Sequence, residues 1–281
     1  MSSLPPRASV IVRTKDSART LGDALSLLRA QTVAAEILIV DSGSSDDTLA
    51  IAHREADRVI EIPAASFTFG RALNIGAAAA RAPIHFALSS HAVPPDTRWI
   101  ERSLAKYESA HVAGTSGAPT WPGTATPLTT TVHQSLDLAL RHPHWGFSNT
   151  ASSWRADVWR QLPFNEALPT CEDKEWALRV LAAGWTIAID SKLAVGDAHR
   201  REYGLRHLYR RTRLEAEVIA SLAPVPPATF AAFMREWQID VPAVRALGRW
   251  RRRVSPVRFT ELMARYRGHR ALQDPTRATR S

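Results

Sequence analysis

Short apolar runs, each followed by a polar turn and a longer stretch with helical spacing, fill the first third of the chain. They predict strands at Ser9–Thr14, Ile37–Val40, Arg58–Ile62 and Ile84–Leu88, alternating with helices at Ala18–Gln31, Asp47–Glu55 and Arg71–Arg81. Ile37-Leu38-Ile39-Val40 is apolar throughout, the pattern of a strand covered on both faces. The strand–helix alternation predicts an α/β fold, a mostly parallel sheet with helices on both faces. Pro, Gly and Thr gather over Ala118–Leu128, which predicts a flexible loop crossing between two halves. Beyond it the pattern predicts helices at Thr131–Arg141 and Glu172–Ala183, the second stopped by Gly184, and strands at Thr186–Ile189 and Leu193–Val195. From Glu202 onward the spacing is helical, broken at Pro224, Pro226, Pro227, Pro242 and Pro256. The organisation expected is an α/β domain over 1–199, with halves 1–117 and 118–199, and a helical extension over 200–281.

The apolar run ending at Val40 stops at a carboxylate in a small-residue turn, Asp41-Ser42-Gly43-Ser44-Ser45-Asp46-Asp47. Two readings stand side by side. In one, the segment is a turn with a capping box, Ser44 and Asp47 opening the next helix. In the other, the strand delivers Asp41 to a ligand cleft at the carboxyl ends of the strands. With a single glycine the turn is not a dinucleotide-binding cradle, and its three aspartates repel phosphate. A carboxylate here is suited to accept hydrogen bonds from a base N–H or a ribose hydroxyl. Arg71 lies at a helix start, where a cation adds to the positive dipole end and favours an anion. Glu172-Asp173 follows Thr170, so these acids either cap a helix or stand exposed at its start as a proton acceptor.

Charge changes this picture in one region. The net charge is +9, but from Arg200 to the end there are 18 arginines against 7 acidic residues, so the first 199 residues are slightly acidic. Runs such as Arg206-His207-Leu208-Tyr209-Arg210-Arg211 and Arg249-Trp250-Arg251-Arg252-Arg253 suit an anionic membrane surface, a diphosphate-linked acceptor, or a plain solvated helix surface. No nucleic-acid reader motif accompanies them, so a nucleic-acid-binding protein using this arginine-rich tail is the lesser alternative. No segment is apolar enough to span a bilayer, and Met1–Ser9 does not read as a signal peptide. The one cysteine, Cys171, excludes an internal disulfide and fits a cytoplasmic setting.

Taken in order, Val10-Ile11-Val12-Arg13-Thr14-Lys15-Asp16, the Asp41-Ser-Gly-Ser-Ser-Asp turn, Arg71-Ala-Leu-Asn-Ile-Gly and Leu88-Ser-Ser-His-Ala-Val-Pro resemble the successive signatures of family 2 glycosyltransferases of the GT-A fold, close to their rhamnosyltransferase-like branch. The resemblance continues through Asn149, Trp154, Pro163-Phe-Asn-Glu, Glu172-Asp-Lys-Glu-Trp and Gly184-Trp185, and covers roughly Ser9 to Arg213. It implies an inverting transfer of a sugar from a nucleotide-diphosphate sugar to a hydroxyl of a glycan or polyprenyl-linked acceptor. Thr14, Asp16, Asp41, Arg71 and Ser90 are implied as the nucleotide-binding set. Asp173 is implied as the base, with Glu172 orienting substrate.

The chain departs from the family at Ser89-Ser90-His91, where Asp-x-Asp usually carries the divalent cation. His91, with a later His199, is then the implied metal pair, and imidazoles favour Mn2+ over Mg2+. A metal-independent enzyme, with Arg71, Arg200 or Arg201 and the histidines neutralising the diphosphate, remains the alternative, as does a nucleotide-sugar-binding protein without turnover. Trp145 is the acceptor-binding candidate, since sugar rings stack on aromatic faces.

Overall fold

The computed structural model describes residues 6–122, 126–197, 204–224, 229 and 256–273. Its spine is β1 (Ala8–Thr14), paired in parallel with β2 (Glu36–Asp41) on one side and β4 (Ile84–Ser89) on the other; β3 (Arg58–Glu61) extends the parallel set beyond β2. Helices α1 (Ala18–Arg29), α2 (Thr48–Glu55) and α3 (Phe69–Ala79) connect these strands, as the alternation predicts. Every residue of β2 and β4 is buried, which accounts for the apolar run Ile37–Val40 and for Phe86–Leu88.

The second half completes the sheet differently. Strands β6 (Val112–Ser116), β7 (Val132–Gln134), β8 (Ala151–Arg155) and β9 (Thr186–Ile189) give the order β3-β2-β1-β4-β8-β6-β9-β7 among the described residues. Strand β8 runs antiparallel to both β4 and β6, and β7 is antiparallel to β9. A second, two-stranded ribbon joins β5 (Ala92–Val93) to β10 (Gly196–Asp197). The remaining helices are α4 (Trp99–Ala105), α5 (Leu136–Arg141), α6 (Ala156–Gln161), α7 (Glu172–Ala182), α8 (Leu205–Leu222) and, in the extension, α9 (Pro256–Gln273).

Four expectations are corrected. The helix expected from Thr131 is a strand to Gln134 and a helix only from Leu136, because Val132–Gln134 pair with β9 and Ser135 caps α5 by accepting the Leu138 N–H at 3.2 Å. Leu193–Val195 is not a strand: Ser191–Leu193 forms a 3-10 turn, and pairing begins only at Gly196. Ser44 and Asp47 form no capping box, since the Ser44 hydroxyl turns back to Asp41 and Asp47 makes no side-chain cap. Thr170 likewise does not cap α7, whose N-cap is Cys171 without a side-chain bond. The Ala118–Leu128 loop is pinned at its base by Trp121 N–H to Thr126 O and Leu128 N–H to Pro119 O, both 3.0 Å.

Two apolar clusters flank the sheet. One gathers around Leu21, Leu25, Phe86 and Trp99, the other around Ile11, Leu73, Phe147, Trp154, Phe164 and Trp176. Close approach of α3 to β1 needs Gly76, because a β-carbon there would collide with Ile11 Cγ2.

His85 lies on β4 opposite Trp154 and edge-on to its ring. It is 1% exposed, and neither ring nitrogen finds a hydrogen-bond partner among the described residues. Burial therefore pulls its pKa down from 6.5 to about 4, against a weaker opposing pull from the Ala82 backbone. A depressed histidine pKa means that the unfolded chain binds the proton first as pH falls. The full stability is present above about pH 6.5 and is lost progressively toward pH 4, a loss of about 3 kcal/mol from this residue. Urea titrations at pH 7, 5.5 and 4.5 on the native chain and on His85→Phe check this: the variant is expected to lose less stability over that range, and equal slopes would rule His85 out.

Candidate active site

The carboxyl ends of β1, β2 and β4 deliver Thr14, Asp16, Asp41 and Ser90 to one end of the sheet. Asp41, at the end of β2, is 0% exposed. Its Oδ2 accepts the Thr14 hydroxyl at 2.7 Å and the Ser44 hydroxyl at 2.5 Å; its Oδ1 accepts the Gly43 and Ser44 N–H groups at 2.9 and 2.8 Å. Four donors saturate a carboxylate. Thr14 and Asp41 thus build the turn, and the ordered turn sets Ser45 against Asp16.

Asp16 accepts the Ser45 N–H at 2.7 Å and its hydroxyl at 3.1 Å, and the Ser45 backbone contact holds its pKa below the ordinary value. It occupies left-handed backbone, φ 44°, a conformation that side chains other than glycine adopt at a cost. The Lys15 ammonium donates to the Gly43 carbonyl, and the Ser17 and Ser90 hydroxyls meet at 2.8 Å. Thr14, Asp16, Asp41 and Ser90 are therefore gathered into one cluster of turns.

Arg71 stands on α3, third in a helix that Thr68 caps by accepting the Arg71 N–H at 3.1 Å. Its guanidinium is half exposed and lies 3.7 Å from Glu166, a loose surface pair.

On the acceptor half, α7 starts with the two acids. Cys171, at φ 61°, turns the chain sharply into the helix. Glu172 points inward, 4% exposed, with its Oε1 accepting from Arg13 Nη1 at 3.1 Å and from Asn149 Nδ2 at 3.3 Å. Burial pushes its pKa up, the charge of Asp173 adds to that, and Arg13 and Asn149 oppose it. Asp173 is only partly buried; its Oδ2 accepts the Asn149 N–H at 3.2 Å. Arg13 and Asn149 carry no role in the sequence-based reading of the site. For Arg13 the signal is present, a charge inside an otherwise apolar strand, while nothing in the sequence marks Asn149 as the residue that touches both acids.

His91 precedes β5, and the pairing of β5 with β10 sets Ala92 against Asp197. The backbone leading toward His199 is thereby brought beside His91, while His199 itself, with Arg200 and Arg201, lies outside the described residues. No group of three or more His, Cys, Asp or Glu able to hold a metal occurs among the described residues.

Trp145 donates its indole N–H to the Thr120 carbonyl at 2.9 Å. With Lys174, Gln134 and Ile219 it lines a small cavity between α5, α7 and α8. It is brought to the α7 side of the site, away from the β2 turn.

A model of the family described as "Glycosyl transferase family 2" matches residues 9–164, more than half of the chain. The chain belongs to glycosyl transferase family 2. Within this family 2 chain the match runs from β1 through α6 and stops just ahead of α7, so the acids of α7 lie beyond it. No curated protein sequence matches.

Among solved structures, the family 2 chain is similar to the mannosyltransferase PcManGT from Pyrobaculum calidifontis in complex with GDP-Man and Mn2+, at 15% identity, covering 96% of this chain and 87% of that one with a TM-score of 0.66. It is also similar to S. aureus TarS 1–349, at 16% identity, 95% and 91% coverage and a TM-score of 0.55. A third similarity is to glucosyl-3-phosphoglycerate synthase from Mycobacterium tuberculosis with Mn2+, UDP and glucosyl-3-phosphoglycerate, at 17% identity, 79% and 82% coverage and a TM-score of 0.56. These likenesses establish the GT-A fold for this chain. No helix among the described residues is long and apolar enough to cross a membrane.

Proposed function

We propose that this protein is an inverting glycosyltransferase that moves a sugar from a nucleotide-diphosphate donor to a hydroxyl of a glycan or lipid-linked acceptor. The observation that carries this reading is the partly accessible Asp173 at the N-terminus of α7, held by the Asn149 N–H and linked through Asn149 and Arg13 to the end of β1. Asp173 takes the proton from the acceptor hydroxyl as that oxygen attacks the anomeric carbon from the side opposite the leaving diphosphate. A single displacement inverts that carbon. Thr14, Asp16, Asp41, Arg71 and Ser90 form the nucleoside site, Thr14 and Asp41 by holding the turn beside it, and Trp145 borders the acceptor.

His91 and His199 are the donors assigned to a divalent cation, with Mn2+ preferred over Mg2+ because imidazole suits the former better. A cation held there would supply positive charge to the departing diphosphate. The solved structures of PcManGT with GDP-Man and Mn2+, and of glucosyl-3-phosphoglycerate synthase with UDP and Mn2+, support this assignment without carrying it.

A thermal-shift screen of UDP-glucose, UDP-N-acetylglucosamine, GDP-mannose and dTDP-rhamnose, each with Mn2+, Mg2+ or EDTA, tests the reading. One donor is expected to raise the Tm, more with Mn2+ than with EDTA. No response to any donor sinks the glycosyltransferase reading, and a response equal in all three conditions sinks the two-histidine metal site. Tight binding without release of nucleoside diphosphate favours a binding protein that has lost turnover.

A peripheral position on the cytoplasmic face of a membrane is supported by α8, which exposes Leu205 and Leu214 along with Arg206, Arg210 and Arg211. Sedimentation with phosphatidylglycerol vesicles, but not with neutral phosphatidylcholine vesicles, is the expected result. The Arg249–Arg253 run, proposed for the same surface, lies outside the described residues.

A further inference from the structure

Arg13 is a cation at the end of the central strand, and its side chain is only 10% exposed. A buried guanidinium is costly unless it is paired, and here two of its donors and one face are spent within the protein. Nη1 donates to Glu172 at 3.1 Å, Nη2 donates to the Asn149 carbonyl at 3.0 Å, and the Phe69 ring lies against the guanidinium, 5.2 Å from Cζ. Phe69 begins α3 on the nucleotide side, while Asn149 and Glu172 belong to the acceptor half.

Asn149 is held at every polar group. Its carbonyl accepts from Arg13, its Nδ2 donates to Glu172 at 3.3 Å, its Oδ1 accepts the Ser152 hydroxyl at 2.7 Å, and its N–H donates to Asp173 at 3.2 Å. Displacing Asn149 therefore disturbs its contacts with both Arg13 and Asp173.

We propose that Arg13 is a positioning residue for Asp173: by gripping Glu172 and the Asn149 carbonyl at once, it holds in place the residue whose N–H aims the base, and it ties the nucleotide half of the site to the acceptor half. This rests on Asp173 being the base. The grip requires a planar fork. A lysine at position 13 supplies the charge but cannot hold a carboxylate and a carbonyl in one rigid geometry. Charge and geometry are thus separable by substitution. The charge opposes the upward push that burial gives the Glu172 pKa, and the fork holds Asn149 in place beside Asp173.

The test uses the full-length chain with carbon-13 label in the Asp and Glu carboxyl carbons, the Glu172 signal being assigned by its loss in E172Q. In R13M the titration of Glu172 is expected to move up by at least about one pH unit, whereas in R13K it stays near the native position. With a donor that is turned over, both variants are expected to lose about 10- to 100-fold in kcat while the donor KM stays within about threefold, because misplacing a base costs rate rather than donor affinity. An unmoved Glu172 titration in R13M overturns the proposal, and so does native kcat in R13K.

Should R13M not fold, R13M/E172Q removes both charges and is expected to recover most of the lost Tm; no recovery overturns the pairing. Asp173→Asn is measured alongside. Full activity in that variant sinks the base itself, whereas an inactive Asp173→Asn beside a fully active R13K sinks only the role of Arg13.

Discussion

Asp173→Asn is expected to lower sugar transfer by at least about a hundredfold while leaving donor binding within about threefold. The asparagine keeps the size of the side chain and one oxygen to accept the Asn149 N–H, giving up only the local bond from the Lys174 N–H to Oδ1. What it loses is the capacity to take a proton, and that capacity acts on the acceptor rather than on the nucleotide. Measuring nucleoside-diphosphate release together with donor binding by calorimetry separates the two. Weakened donor binding with unchanged turnover at saturation places Asp173 on the wrong side of the reaction. Retained turnover means that another group, or solvent, receives the proton.

Trp176→Ala is expected to cost about 3–5 kcal/mol of stability, read as a fall in the urea midpoint. Trp176 is 0% exposed on the inner face of α7, one helical turn beyond Glu172, and it packs against Phe147 and Phe164 with ring centroids 4.9 and 5.5 Å away. Its indole N–H donates to the Leu162 carbonyl at 2.7 Å, so truncation leaves both a cavity and an unpaired acceptor. Because so short a span of helix separates this anchor from the acids, the folded variant is also expected to turn over more slowly. A loss under about 1 kcal/mol would show that α7 is held by its ends instead.

The parallel half of the sheet is legible in the sequence because its central strands are buried on both faces and therefore apolar almost without interruption. The antiparallel half is harder to see. Strand β8 contains Ser152 and Ser153, and β6 ends in Thr115 and Ser116, all of them buried. Their hydroxyls are partnered: Ser103, Thr115 and Ser153 lie 2.8 Å apart in a ring, the Tyr107 hydroxyl joins Ser153 at 2.7 Å, Ser152 donates to Asn149 Oδ1, and Ser116 donates to the Ala151 carbonyl. A core built on paired hydroxyls carries no hydrophobic pattern, so β6 leaves no trace and β8 shows only as a stretch of small polar residues.

The site is legible as a set of residues and less so as a set of contacts. Asp41 stands out as an acid at a strand end, but its four internal hydrogen bonds depend on where Thr14 and Ser44 fold back to it. Glu172 and Asp173 look equivalent in the sequence. Burial separates them, since one is locked to Arg13 and the other is left partly accessible.

The two helices of the extension have a consequence for anyone recombining this chain with its relatives. The Cys171 thiol lies 3.8 Å from the Glu215 carbonyl of α8, Gly268 of α9 fits against the Arg213 carbonyl where a β-carbon would stand 2.6 Å away, and His269 meets His144 at 3.0 Å between ring nitrogens. A crossover placed at residue 200 would cut through this packing and graft a foreign backing onto the helix that carries the acids. The exchangeable cassette is better drawn from α7 through α9, so that the acids travel with the helices that brace them.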